Sequence, residues 1–224
     1  MKQRNTPRDK MFLYDQTAHI YNQRYREIQE EKYRSILRRI TFKRADLILD
    51  AGCGTGMLLE KIPKEHAVGV DFSREMIKRA KKKNKSSNLV RADLSNLPFK
   101  DNTFSKVLGV TVLQNVEHPL KAVKEIRRVT KKEGLTILST LKKKATREEI
   151  RKLIRNVQLK EKEVYEISED IVIISQKTNQ KLTHKLSLRK IQLAMRIQQP
   201  QTGFPGKTDE NSTRPHQRPL LTKD

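Results

Sequence analysis

Gly52, Gly54 and Gly56 stand at alternating positions behind an apolar run, residues 47–51, that carries a carboxylate at Asp50. Residues without a Cβ let the backbone turn sharply and approach a ligand closely. Asp71 closes the next apolar run, where a carboxylate can accept hydrogen bonds from ribose hydroxyls. A dinucleotide fingerprint would need its third glycine where Met57 stands, and a phosphate loop would need Gly-Lys-Ser/Thr, which this stretch lacks. The spacing suits a nucleoside ligand without a pyrophosphate.

Two later stretches add groups that could do chemistry. Asp93 and Leu94 follow a stretch, residues 88–92, that reads as a third strand. Residues 111–118 hold Thr111, Gln114, Asn115, Glu117 and His118. The amides of Gln114 and Asn115 can orient a polar group, and His118 is the general-base candidate. His118 also reads as a neighbour of the N-cap of the helix that Pro119 opens, and Glu117 as a first-turn acid favoured near a helix N-terminus.

These residues need a scaffold that alternates strands and helices. Strands are predicted over residues 47–51, 68–71, 88–92, 105–112 and 135–141, with 163–168 and 170–175 as a closing hairpin. Ser73 reads as the N-cap of a helix whose apolar stripe is Met76, Ile77 and Ala80. Pro119 to Thr130 reads as a second amphipathic helix, and Glu133-Gly134 as the turn into the fifth strand. Ahead of the glycine loop, residues 14–39 carry Ala18, Tyr21, Tyr25, Ile28, Tyr33, Ile36 and Leu37, mostly at helical spacing.

The Asp-x-Gly-x-Gly-x-Gly run after a strand, the Asp71-Phe72-Ser73 start of the next helix, the Ala92-Asp93 pair and the 97–104 stretch (Leu-Pro-Phe-Lys-Asp-Asn-Thr-Phe) together resemble the class I S-adenosylmethionine-dependent methyltransferases. The last stretch is similar to the methyltransferase type 11 branch, which includes quinone-, small-molecule- and tRNA-modifying enzymes. The resemblance covers roughly residues 14–176.

It implies a three-layer αβα Rossmann-like methyltransferase fold, a seven-stranded and mostly parallel sheet with an antiparallel last strand, and S-adenosyl-L-methionine as cofactor. Asp50, Gly52, Gly54 and Gly56 would surround the methionine moiety. Asp71 would hold the ribose, Asp93 the adenine amino group and Leu94 the ring, with Phe72, Met76 and Thr111 nearby. An N-terminal Tyr-Asp-x-x-Ala-x-x-Tyr segment would fold over the pocket, so that Tyr14, Tyr21 and Arg24 line the cleft or serve packing alone. The third strand would be an open sheet edge, which in some RNA- and protein-modifying members pairs with a small zinc-ribbon activator protein. No Asn/Asp-Pro-Pro-Tyr occurs, so the signature of exocyclic adenine or glutamine amide methylation is missing. Cytosine-5 enzymes attack with a thiolate, yet Cys53, inside the glycine loop, reads better as a small loop residue.

Composition bounds the rest. The 224 residues divide into a lid helix region (1–40), a cofactor-binding domain (41–177) and a basic tail (178–224) expected to be disordered past Pro200, with a basic helix over 183–199. No apolar run approaches a membrane span, and residues 1–5 have no apolar signal core, so a cytoplasmic protein is expected. A single cysteine rules out an internal disulfide and a cysteine-based zinc site, and no metal is expected. The net charge is +23, from 49 basic and 26 acidic residues, with blocks at 78–85 and 142–152. Such an excess attracts polyanions, which favours an RNA acceptor, tRNA before rRNA, although only 5% of residues are aromatic. A small-molecule or quinone/lipid methyltransferase and a non-catalytic cofactor- or RNA-binding module are the other readings.

Overall fold

The computed structural model describes Gln16 and residues 25–63, 66–84 and 88–178. The chain divides into two units, Met1–Asn179 and Gln180–Asp224, and every element below belongs to the first. The expected lid tyrosines Tyr14 and Tyr21, Arg24, and the tail from residue 179 lie outside the described residues.

Helix α1 spans residues 25–37. There follow β1 (Ile48–Ala51), β2 (Ala67–Asp71), α2 (Arg74–Lys83), β3 (Asn88–Arg91), β4 (Phe104–Gly109), α3 (Pro119–Val129), β5 (Thr130–Leu141), α4 (Arg147–Asn156), β6 (Leu159–Ile167) and β7 (Asp170–Lys177). The strands form one seven-stranded sheet in the order β3-β2-β1-β4-β5-β7-β6. Pairs among β1 to β5 are parallel, and β7 is antiparallel to both of its neighbours. This is the expected Rossmann-like sheet.

Central strands are apolar on both faces because helices cover both faces. Ile48, Leu108, Ile137 and Val172 point into the layer shared with Tyr33 and Ile36 of α1. Their neighbours Leu49, Val107, Leu138 and Ile173 point into the opposite layer, against α3 and α4. Ser73 caps α2 by accepting from the Met76 amide at 3.1 Å, and Thr146 with Glu149 forms a capping box on α4.

Element ends differ from the expected ones for local reasons. β4 stops at Gly109 instead of 112, since Thr111 turns into the left-handed region at φ 55°. β3 stops at Arg91, short of Ala92 and Asp93. β5 begins at Thr130, directly after α3, and runs through Glu133, whose φ is 59°. The buried face of α1 is Gln29, Lys32, Tyr33 and Ile36, while the apolar Tyr25 and Ile28 are exposed. No helix of the described residues is long and apolar enough to cross a membrane.

The 97–101 loop is fastened to α3. Arg128 donates to the Leu97 and Phe99 carbonyls at 2.9 and 2.7 Å and pairs with Glu125 and Asp101, and Glu125 accepts the Leu97 amide at 2.9 Å.

Candidate functional site

The sheet order places the site. From β1 the chain moves outward through β2 and β3, then returns to lay β4 on the other side of β1. The loops leaving β1 and β4 therefore diverge and leave a crevice at the carboxyl ends of the strands, where ligands bind in open parallel sheets. A cavity of about 210 Å³ lies there.

Its first wall is the glycine loop. Gly52 (φ 81°) and Gly54 (φ 52°) line the cavity, in backbone conformations that L side chains rarely adopt. A Cβ on Gly52 would stand 2.5 Å from Val112 Cγ2, so the loop after β4 packs directly on the loop after β1. Gly56 does not line the cavity: a Cβ there would meet Asn84 Nδ2 at 2.5 Å and Ala80 Cβ at 3.2 Å, so this glycine admits α2 instead.

The second wall is Asp71 with the residues after it. Asp71 is buried at the tip of β2, and its oxygens accept the Gly54 and Ser73 amides, each at 2.9 Å. Those bonds fix the orientation of the carboxylate at the cavity wall. Phe72, Met76, Asp93 and Leu94 line the same cavity, and Asp93 is steadied by accepting the Ser95 amide at 2.8 Å.

The third wall follows β4. Thr111, Asn115 and His118 face the cavity, together with Val112, Glu117 and Lys121. His118 is exposed at the N-cap position of α3 and its side chain makes no capping bond. Gln114 lies in an adjoining groove behind Val116 and Glu117; it donates to the Thr111 carbonyl at 2.6 Å and accepts from Thr140 Oγ1 at 3.2 Å. Gln114 thus braces the turn.

Thr111 is the one cavity residue with a β-branched side chain in the left-handed region, a conformation that costs on the order of 1–3 kcal/mol. Its partners hold it there: the amide donates to Ser139 Oγ at 2.6 Å, and the hydroxyl donates to Asp170 Oδ2 at 2.7 Å. Lysine on a helix face gives no sequence signal for burial, and Lys32, Ser139, Asp170 and Lys121 all escape sequence reasoning.

Asp50 does not line the cavity. It is buried at the end of β1 behind the glycine loop, and its Oδ2 has no hydrogen-bond partner. Burial, and then the Asp71 charge, push its pKa up to about 8. Burial also raises the Cys53 thiol well above its ordinary value, reinforced by the Asp50 and Asp71 charges. A nucleophilic thiolate is therefore disfavoured, and Cys53 packs as an apolar residue beside Met57 and Leu59. Among the described residues no group of three or more His, Cys, Asp or Glu could hold a metal ion.

Residues 49–138 match the family described as methyltransferase domain. Over these residues the chain carries a class I S-adenosylmethionine-dependent methyltransferase domain. An uncharacterized protein of Methanocaldococcus jannaschii is 36% identical over 117 residues, 52% of this chain and 50% of that protein. The malonyl-[acyl-carrier protein] O-methyltransferase of Buchnera aphidicola is 38% identical over 96 residues, 42% and 39% of the two chains. The chain spans about half the length of the curated relatives it matches. A solved Haloferax volcanii complex of the Trm112 methyltransferase activator with a methyltransferase aligns at a TM-score of 0.70 and 15% identity, over 79% of this chain and 99% of that one, which shows the shared fold.

The family's cofactor is S-adenosylmethionine, and the residues present fit it. The ligand is a cation, and here an otherwise basic chain lines one crevice with Asp71, Asp93 and Glu117, with Asp50 buried behind the glycine loop. The orphaned Asp50 Oδ2 and the Cβ-free backbone at Gly52 and Gly54 are what a close cationic nucleoside requires.

Proposed function

We propose that the chain transfers the methyl group of S-adenosylmethionine to an RNA acceptor. The observation that carries the reading is Asp71: a buried carboxylate, pinned by two backbone amides, aimed into a crevice walled by the glycine loop and the turn after β4. Bound S-adenosylmethionine supplies a methyl group already electrophilic on its sulfonium. The chain's work is then alignment and exclusion of water. Asp71 takes the ribose hydroxyls, Asp93 the adenine edge, and Phe72, Met76 and Leu94 the apolar surfaces. Asn115 and His118 meet the acceptor, with His118 accepting a proton where the acceptor must lose one, and Gln114 holds the turn that presents them.

Net charge supports RNA as the acceptor class, through the exposed Lys81 and Lys82 of α2 and the 142–144 turn. Part of the second basic block is already engaged: Arg147 and Lys142 pair with Glu166 and Arg151 with Glu161, and just beyond it Arg155 pairs with Glu148. That internal pairing, with the acyl-carrier-protein methyltransferase among the relatives, supports a small-molecule or lipid acceptor as the second reading.

A small zinc-ribbon activator is proposed at β3. Among the described residues this strand pairs in the sheet only with β2, which makes it an edge strand of the kind that another chain can extend. The fold shared with the Haloferax volcanii protein solved in complex with the Trm112 activator supports an activator of this class as a partner.

The test is incorporation of labelled methyl from S-adenosylmethionine into the RNA, protein and lipid fractions of a cell extract, with and without a purified activator of this class, and Asp71→Ala as control. Label in RNA that falls with salt and vanishes in the variant is expected. Label confined to lipid or small molecules would refute the RNA acceptor, and unchanged label with Asp71→Ala would refute the site.

A further inference from the structure

Beneath the cofactor crevice lies a buried ionic network that the proposed chemistry does not use. Lys32, on α1, is 3% exposed, and Asp170, the first residue of β7, is 0% exposed. The Lys32 ammonium donates to Asp170 Oδ1 at 2.8 Å and to Thr111 Oγ1 at 3.2 Å. Asp170 Oδ2 accepts from Thr111 Oγ1 and from Ser139 Oγ, both at 2.7 Å. Ser139 Oγ in turn accepts the Thr111 amide at 2.6 Å, and the Thr111 carbonyl receives the Gln114 and Asn115 amides at 2.6 and 3.4 Å. Every polar atom of Thr111 is held, across four separate segments of the chain.

We infer that Lys32 and Asp170 are positioning residues for the cofactor crevice, acting through Thr111. Thr111 is kept at φ 55°, which a β-branched residue does not adopt unless its surroundings impose it. The residue beside it, Val112, is the one that a Cβ on Gly52 would strike, so the setting of Thr111 fixes how the turn after β4 seats on the glycine loop. Thr111, Val112 and Asn115 all line the cavity. A buried ion pair of this kind adds little stability over apolar residues of the same volume, because desolvation of both charges offsets their attraction. Its use lies in geometry: a fully buried carboxylate with a cation on one oxygen and two hydroxyls on the other admits one arrangement of the turn. The ammonium is required because hydroxyl donors alone leave the carboxylate's charge uncompensated.

The inference rests on the proposed cofactor, and its experiment separates the two. The full chain is compared with Lys32→Met/Asp170→Leu, which removes both charges together, with Lys32→Arg, and with Thr111→Val, which removes the hydroxyl and keeps the ion pair. Three quantities are measured: the melting temperature, amide hydrogen exchange over residues 110–116 without ligand, and S-adenosylmethionine affinity by calorimetry. The double variant is expected to melt near the parent, yet to exchange faster at 110–116 and to bind the cofactor about three- to tenfold more weakly, the scale of one or two lost hydrogen bonds. Thr111→Val should share both local effects even where the double variant folds poorly, and Lys32→Arg should restore them toward the parent. Parental exchange and affinity in both the double variant and Thr111→Val would overturn the positioning role, as would exchange that rises uniformly with loss of stability. Absence of cofactor binding by the parent would refute the cofactor reading, while the exchange pattern would still decide the role of Lys32 and Asp170.

Discussion

Asp50→Asn tests the electrostatics of the crevice. Asp50 is 3% exposed, its Oδ2 has no partner, and burial with the Asp71 charge raises its pKa from 3.8 to about 8. Between these values the folded chain keeps a proton that the unfolded chain has released. A raised folded-state pKa contributes stability in full below about pH 4, loses it progressively as the pH climbs, and has none left above about pH 8. The span of about four pH units corresponds to on the order of 5 kcal/mol. Asparagine keeps the shape and cannot ionise, and every other titrating group is common to both proteins. The two should therefore unfold alike near pH 4, and the variant should gain on the parent steadily up to pH 8. Urea unfolding followed by circular dichroism from pH 4 to pH 9 gives the difference directly. Parallel stability curves would refute a protonated Asp50. The same proton has a consequence for binding: a cationic ligand favours the ionised carboxylate, so cofactor affinity should rise with pH up to about 8 in the parent and stay flat in the variant. Calorimetry in buffers of different ionisation enthalpy reads the released proton.

Gly52→Ala should destabilise by about 1–2 kcal/mol from its left-handed backbone alone, with a further cost from the Val112 contact, and should weaken cofactor binding. Gly54→Ala meets open space and should cost less in folding; equal melting temperatures for the two variants would contradict the packing of the two loops. Arg128→Met removes the bonds that fasten the 97–101 loop to α3 and should cost about 2 kcal/mol, read as a lower urea midpoint with faster proteolysis near Asp101. Native Cys53 should react with a thiol reagent orders of magnitude more slowly than the unfolded chain, since burial raises its pKa; rapid native labelling at pH 8 would refute a buried thiol.

Much of the fold was legible along the chain because its signals are local. Strands covered on both faces read as largely apolar runs, so β1 and β2 announce themselves, and Ser73, Pro119 and Gly52 mark boundaries by capping and φ preference alone. The carboxylate at Asp71 was legible for the same reason, being tied to the end of β2, and Asp93 follows two residues after β3. Tertiary structure alone decided which glycine faces the crevice: Gly52 and Gly54 line it, whereas Gly56 yields to α2, and nothing in their identical spacing separates them. It also decided that Gln114 braces the turn from an adjoining groove. Lys32 meets Asp170 from 138 residues away and Thr111 from 79, and helical periodicity assigns a lysine to solvent. A buried charge leaves no local signature, because the cost of desolvating it is offset by partners that only the folded chain brings together.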